Sequence, residues 1–220
     1  MLRAAGVGVG DEVVVPAFGN VEVAEAVAQV GALPVFADVD PVTYCLDAVA
    51  VEGAVTPRTV AVVVVHRFGR PANVARLHEV GERHGLLVLQ QGETEAPYDE
   101  VAQRRERATY LDARLRGVRT PDGGDGHTYQ QYVVRVPGNG RPDRDAFARA
   151  LRGRGIECRV PVRTPLHRMP EFRRCVSLPQ TELAADETLA LPVDASLTKR
   201  DLQRMVSACN ALGGLLQPAT

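Results

Sequence analysis

Residues 11–91 alternate short apolar runs with segments of helical periodicity. "DEVVVPAF" (11–18), "LPVFADVD" (33–40), "RTVAVVVVH" (58–66) and "LLVLQQ" (86–91) are β-branched or leucine-rich runs of strand length. The run from Val60 to Val65 holds no polar residue, as expected of a strand buried on both faces. Between these runs, "EVAEAVAQVG" (22–31), "LDAVAVEGAV" (46–55) and "NVARLHEVGERHG" (73–85) repeat their apolar residues every three or four positions. Gly31 and Gly85 close two of these helices, and Thr56-Pro57 stops the other. Strand and helix in regular alternation predict βαβ units on a parallel sheet with right-handed crossovers.

The pattern changes after Ala96. "YDEVAQRRERATYLDARLRG" (98–117) is a long charged helix with an apolar stripe, and "TPDGGDG" (120–126) is a loop. "TYQQYVVRVP" (128–137) and "IECRVPV" (156–162) read as strands. "DRDAFARALRGRG" (143–155), "QTELAADETLALP" (180–192) and "TKRDLQRMVSACNAL" (198–212) read as helices, the last N-capped by Thr198. The expectation is α/β: residues 1–97 form a lobe with a four-stranded, mostly parallel sheet, and residues 98–220 form a smaller α+β lobe.

Composition narrows the function classes. A net charge of -1 over 220 residues offers no basic footprint for nucleic acid or an anionic membrane. No apolar run approaches the roughly 18 residues needed to span a bilayer. Four scattered cysteines (Cys45, Cys158, Cys175, Cys209) form no CxxC pair, which fits reduced thiols in a cytoplasmic protein and offers no metal-ligand spacing. Of the 26 basic residues only Lys199 is a lysine, so chemistry requiring a lysine amine has one candidate.

Several collinear blocks resemble the DegT family of sugar aminotransferases, which are fold-type-I enzymes using pyridoxal phosphate. The blocks are "GVGVGDEVVVPAF", "GALPVFADVDPVTYCLD", "AVTPRTVAVVVVHRFGRPANVARLHEVGERHGLLVLQQ", "YQQYVVRV", "ALRGRGIECRVPVRTPLHRMPEF" and "LALPVDASLTKRDLQRMVSACNAL". The resemblance implies a large sheet of seven strands ordered 3-2-4-5-6-7-1. The four strands here would be the second to fifth, in the order 3-2-4-5. It also exposes four departures. The chain begins at "MLRAAGVGVGDE", after the point where the family places a Ser-Gly-Thr turn that holds the cofactor phosphate; an upstream start would restore it. Gln91 stands where an Asp pairs with the pyridine nitrogen. Asn20 stands where an aromatic side chain stacks on the ring. The segment of roughly a hundred residues that carries the Schiff-base lysine is missing between Glu95-Ala96 and the helix from Tyr98.

These departures imply a protein that uses no cofactor and does not transaminate, working in a sugar or natural-product pathway. It would serve a cofactor-free reaction or act as a non-catalytic partner of a full-length aminotransferase; a remnant or fragment of a sugar aminotransferase is the further alternative. The small-molecule ligand is unspecified. Candidate acid–base groups are Glu93, Glu95, His66 and His167, and candidate anion-binding groups are Arg159, Arg163 and His167. Loss of one side of the sheet makes 86–91 an edge strand, covered by the 98–117 helix, a partner or a second copy, and a homodimer is expected.

Overall fold

A computed structural model describes residues 1–92, 97–124, 126–137, 143–194 and 196–213. Their contacts divide the chain into two compact units. The first comprises residues 1–67, 71–93 and 164–183, and the second comprises 68–70, 94–163 and 184–220. The segment 164–183, which the sequence places with the C-terminal lobe, thus belongs with the parallel sheet.

The first unit is built on β1 (Glu12–Pro16), β2 (Leu33–Ala37), β3 (Thr59–Val65) and β4 (Leu87–Gln91), interleaved with α1 (Val21–Gln29), α2 (Ala48–Ala54) and α3 (Val74–His84). All pairings are parallel and the order is β2-β1-β3-β4, which equals the 3-2-4-5 order implied by the resemblance. Each sheet face carries a separate core. On one side Val13, Val15, Ala61, Val63 and Val65 pack with α1 and with Leu166, Phe172 and Leu178. On the other, Val14, Val62 and Val64 pack with α2 and α3 through Val51, Leu77 and Val80. Burial on both faces explains why β1 and β3 read as unbroken valine runs and not as alternating patterns. Asp47 caps α2 through Val49 and Ala50 N–H, and Asn73 caps α3 through Arg76 N–H. Gly81 lets α3 approach β4: a Cβ there would lie 2.7 Å from Val88 Cγ2.

The second unit holds α4 (Tyr98–Asp112), β5 (Tyr132–Arg135), α5 (Asp143–Arg152), β6 (Thr188–Leu191) and α7 (Lys199–Gly213), with α6 (Pro179–Glu187) running into β6. β5 and β6 pair antiparallel, and Tyr132, Val134, Leu151, Leu189 and Met205 lie at the centre of the core. Thr198 caps α7 as expected: its Oγ1 accepts from Asp201 N–H at 3.2 Å, and Asp201 Oδ2 accepts from Thr198 N–H at 3.1 Å.

Two expected elements need correction. The helix expected over 180–192 ends at Glu187, and Thr188–Leu191 is a strand. Tertiary contacts set the switch. Arg144 Nη1 donates to the carbonyls of Ala185 and Thr188, Glu187 pairs with Arg135 at 2.9 Å, and the four strand residues are all buried. The strand expected over 156–162 is reduced to one antiparallel bridge between Arg159 and Ala190. Pro161 has no N–H with which to extend it.

Candidate functional site

Open parallel sheets bind ligands beyond the carboxyl ends of their strands, where the strand order reverses. Here β1 connects outward to β2 and the chain then returns to β3 on the other side of β1, so the crevice lies at the ends of β1 and β3. The β1 end runs Ala17, Phe18, Gly19, Asn20. Gly19 (φ 79°) and Asn20 (φ 62°) are successive left-handed residues that turn the strand into α1. Asparagine is among the few non-glycine residues that tolerate this conformation.

The β3 end supplies His66 and Arg67. The Arg67 guanidinium lies 5.4 Å from the centre of the Phe18 ring and donates to Asn20 Oδ1. Burial lowers its pKa to about 10, opposed by the nearby Cys45 and Glu22, so it is a cation at neutral pH. Phe18 in turn stacks on Tyr44, with centroids 5.7 Å apart and planes inclined by 29°. Tyr44 holds φ 60°, and the Asp40 carboxylate orders its turn by accepting from Val42 and Thr43 N–H. A non-glycine residue held in this region marks a position that its surroundings over-determine.

The expected site residues take the following places. His66 Nδ1 accepts from Ala72 N–H at 3.0 Å, and its backbone N–H donates to Gln91 O at 3.2 Å. The ring therefore carries its proton on Nε2 when neutral and pins the loop after β3. Gln91 is an exposed residue that ends β4. His167 sits in a 3-10 turn (Leu166–Arg168), is buried, and has Nε2 3.1 Å from Glu182 Oε1. Arg168 reaches Glu182 Oε2 at 2.8 Å, and hydrogen bonding from His167 holds the Glu182 carboxyl below the usual range. Arg159 and Arg163 belong to the second unit and His167 to the first. Arg159 lines a polar cavity of about 330 Å³ together with Arg104, Glu157 and Asp194, and Arg163 is exposed. Glu93 and Glu95 lie outside the described residues. Lys199 is the exposed first residue of α7.

Sequence reasoning missed Arg67. Its signal was a lone cation directly after a buried valine strand, at the sheet's carboxyl end. It also missed a buried polar group in the second unit. There His127 stacks on Tyr129 at 4.0 Å, and Tyr132 Oη donates to Asp112 at 2.5 Å. Desolvation, with Arg70 adding to it, lowers the His127 pKa to about 4.

A four-stranded parallel sheet with this crevice, followed by a small α+β unit, defines an aminotransferase-type fold. The profile of the DegT/DnrJ/EryC1/StrS aminotransferase family matches residues 1–92 and 97–210, and the chain belongs to that family. Over 89 residues it is 52% identical to an L-glutamine:2-deoxy-scyllo-inosose aminotransferase of Streptomyces kanamyceticus, covering 40% of this chain and 21% of that protein. The chain thus spans about a fifth of the length of the first curated relatives it matches. A pleiotropic regulatory protein of Geobacillus stearothermophilus is 29% identical over 299 positions, covering 93% of this chain and 79% of that protein. That alignment is longer than the 220-residue chain and so skips positions, and the family match itself breaks at 93–96. Among solved structures, the aminotransferase TlmJ from Streptoalloteichus hindustanus superposes with a TM-score of 0.86 at 26% identity, covering 97% of this chain and 82% of that one.

The family fold implies pyridoxal phosphate, and the residues at the crevice do not fit it. Gln91 is a neutral amide and cannot balance a pyridinium charge. Asn20 spends its side-chain oxygen on Arg67, so an amide–guanidinium pair stands at the position where the resemblance implies a stacking ring. That pair brings a buried cation to the end of the sheet where the pyridinium needs an anion. No lysine occurs anywhere in the first unit.

Proposed function

We propose that this chain is a non-transaminating, cofactor-independent member of its family, acting in a pathway that builds aminated sugars, cyclitols or related natural products. It is read as a two-lobed cytoplasmic protein that works as a homodimer, the segment 164–183 belonging with the lobe that residues 1–97 begin. The observation that carries the reading is the junction between β4 and α4. Only six residues separate Gln91 from Tyr98, where relatives accommodate the segment bearing the Schiff-base lysine. The sole lysine stands instead at the exposed start of α7. Without an amine the covalent activation that begins transamination has no anchor. The pathway assignment is supported by the 52% identity to the cyclitol aminotransferase. The retained crevice, with Arg67 as a fixed cation and His66 beside it, suits an anionic small molecule.

A second reading treats the chain as a sugar aminotransferase fragment that complements a full-length relative. Its support is the short share of the curated relatives that the chain spans.

The test is to add pyridoxal phosphate to the purified chain, record the absorption spectrum, reduce with borohydride and measure the intact mass. The expected result is the spectrum of free cofactor, complete removal by gel filtration and an unchanged mass. A retained band that reduction attaches to the chain would overturn the proposal. Co-elution with a full-length relative, coupled to a gain in that enzyme's activity, would favour the second reading.

A further inference from the structure

The polar cavity of about 330 Å³ that Arg159 lines has all its lining residues in the second unit. Arg104, Gln131, Glu157 and Asp194 share that lining with the segment 190–193. The local sequence explains why a cavity opens there. Arg159 and Ala190 exchange both backbone hydrogen bonds, at 3.0 and 2.8 Å. In an antiparallel ladder the next such pair would set Glu157 opposite Pro192. Proline has no N–H to donate, so the ladder stops after one bridge. Side-chain alternation then sends Ile156 and Cys158 into the core, and Glu157 and Arg159 to the cavity.

The charges in this cavity are balanced and partly uncommitted. Arg159 and Glu157 stand two residues apart on one face and form no ion pair with each other. Among the described residues neither side chain has a hydrogen-bond or charge partner. Arg104 is held by Glu100 at 2.7 Å. Asp194 accepts from the Ser196 hydroxyl and from Ser196 N–H, the latter at 3.1 Å, and these bonds hold its carboxyl below the usual range. Two guanidinium groups therefore face two carboxylates, and one group of each sign is unspent. The Arg159 backbone is tied to β6 on both sides of its peptide unit, so its guanidinium rises from an ordered root.

We propose that this cavity binds a small zwitterion of the α-amino acid class, with the ligand carboxylate on Arg159 and its ammonium on Glu157. A guanidinium fork matches a carboxylate with two parallel hydrogen bonds, and an ammonium brings three donors to carboxylate oxygens. A ligand with only a negative charge would meet Glu157 and Asp194, and one with only a positive charge would meet Arg104 and Arg159. A molecule carrying both charges leaves neither sign unopposed. The volume stands at the small end of the range of roughly 300–1,000 Å³ for ligand pockets, which suits a molecule of amino-acid size. The proposal does not rest on the reading of the first unit, since every residue it uses lies in the second. Its failure would leave the cofactor experiment unchanged.

The test is equilibrium dialysis of the full chain against radiolabelled L-serine at millimolar concentration. Two competitors separate the charges: 3-hydroxypropionate is serine without its ammonium, and ethanolamine is serine without its carboxylate. The expected result is saturable binding of one serine per chain, with each competitor at least tenfold weaker than unlabelled serine. Arg159→Gln and Glu157→Gln, both on exposed residues, are each expected to weaken serine binding at least tenfold with an unchanged far-ultraviolet dichroism spectrum. Arg159→Gln should leave the weak binding of ethanolamine in place, and Glu157→Gln that of 3-hydroxypropionate. Absence of saturable serine binding would overturn the proposal. So would a competitor that matches serine, or serine binding indifferent to either substitution.

Discussion

Asp38 follows β2 and reaches across 143 residues of sequence to the start of α6. One oxygen accepts from Thr181 N–H and Thr181 Oγ1, both at 2.7 Å, and from Val39 N–H at 2.9 Å. The other accepts from Gln180 N–H at 2.9 Å. The carboxylate therefore caps a helix that begins on the returning segment, and it holds that segment to the sheet. Asp38→Ala removes the cap, which costs about 1 kcal/mol. Beyond the two α6 amides of the cap, it also leaves the Thr181 hydroxyl, in a fully buried residue, and the Val39 amide without their acceptor, which adds roughly 1–3 kcal/mol. The expected total is about 2–4 kcal/mol. Asp38→Asn keeps the acceptor oxygen that Val39 and Thr181 use, but loses the charge and turns an NH2 toward Gln180 N–H, for roughly 1–2 kcal/mol. Urea unfolding followed by far-ultraviolet dichroism measures both. A cycle with Thr181→Val should return a coupling of roughly 1 kcal/mol, because the two side chains touch. Equal costs for Ala and Asn, or a coupling of zero, would refute the assignment of Asp38 as the clasp.

Gly81→Ala should destabilise the chain despite a gain of about 1 kcal/mol in helix propensity, since the added methyl meets Val88 Cγ2 at 2.7 Å and Leu86 O at 3.1 Å; overpacking of this kind costs roughly 1–3 kcal/mol, and thermal denaturation reads the net. His127 is held neutral by burial, with a folded pKa near 4 against about 6.5 when unfolded. Below about pH 6.5 the unfolded chain binds the proton first, so this contribution to stability is complete above that pH and declines as pH falls toward 4. His127→Asn, which keeps an acceptor for Tyr129 N–H, should flatten that part of the stability–pH curve; an unchanged slope would refute the account. Tyr132→Phe should cost about 1.5–3 kcal/mol at neutral pH by removing the phenol from a charged Asp112. Burial raises the Asp112 pKa, so the cost should shrink in acid, where the protonated carboxyl leaves no charge to stabilise; chemical denaturation at two pH values tests it.

Much of the first unit was legible along the chain. The valine runs of β1 and β3, the stripe of α3 and the stops at Gly31 and Gly85 are local signals, and the local backbone obeys them. The lack of any lysine before Lys199 and the short link between β4 and α4 are facts of the sequence alone, and the proposal of a non-transaminating chain rests on them. What the sequence could not decide depends on partners far away in it. Thr188–Leu191 continues a helical pattern, yet becomes β6 because Arg144 takes its helix-end carbonyls and β5 offers a ladder. Arg67 and Asn20 lie 47 residues apart, and only the adjacent carboxyl ends of β1 and β3 bring them together. The segment 164–183 reads as part of the C-terminal lobe, yet Asp38 and the Leu166–Ala17 hydrogen bond return it to the sheet. Periodicity records which face of an element is apolar; it does not record which of several apolar surfaces will cover that face, and that choice belongs to the packed chain.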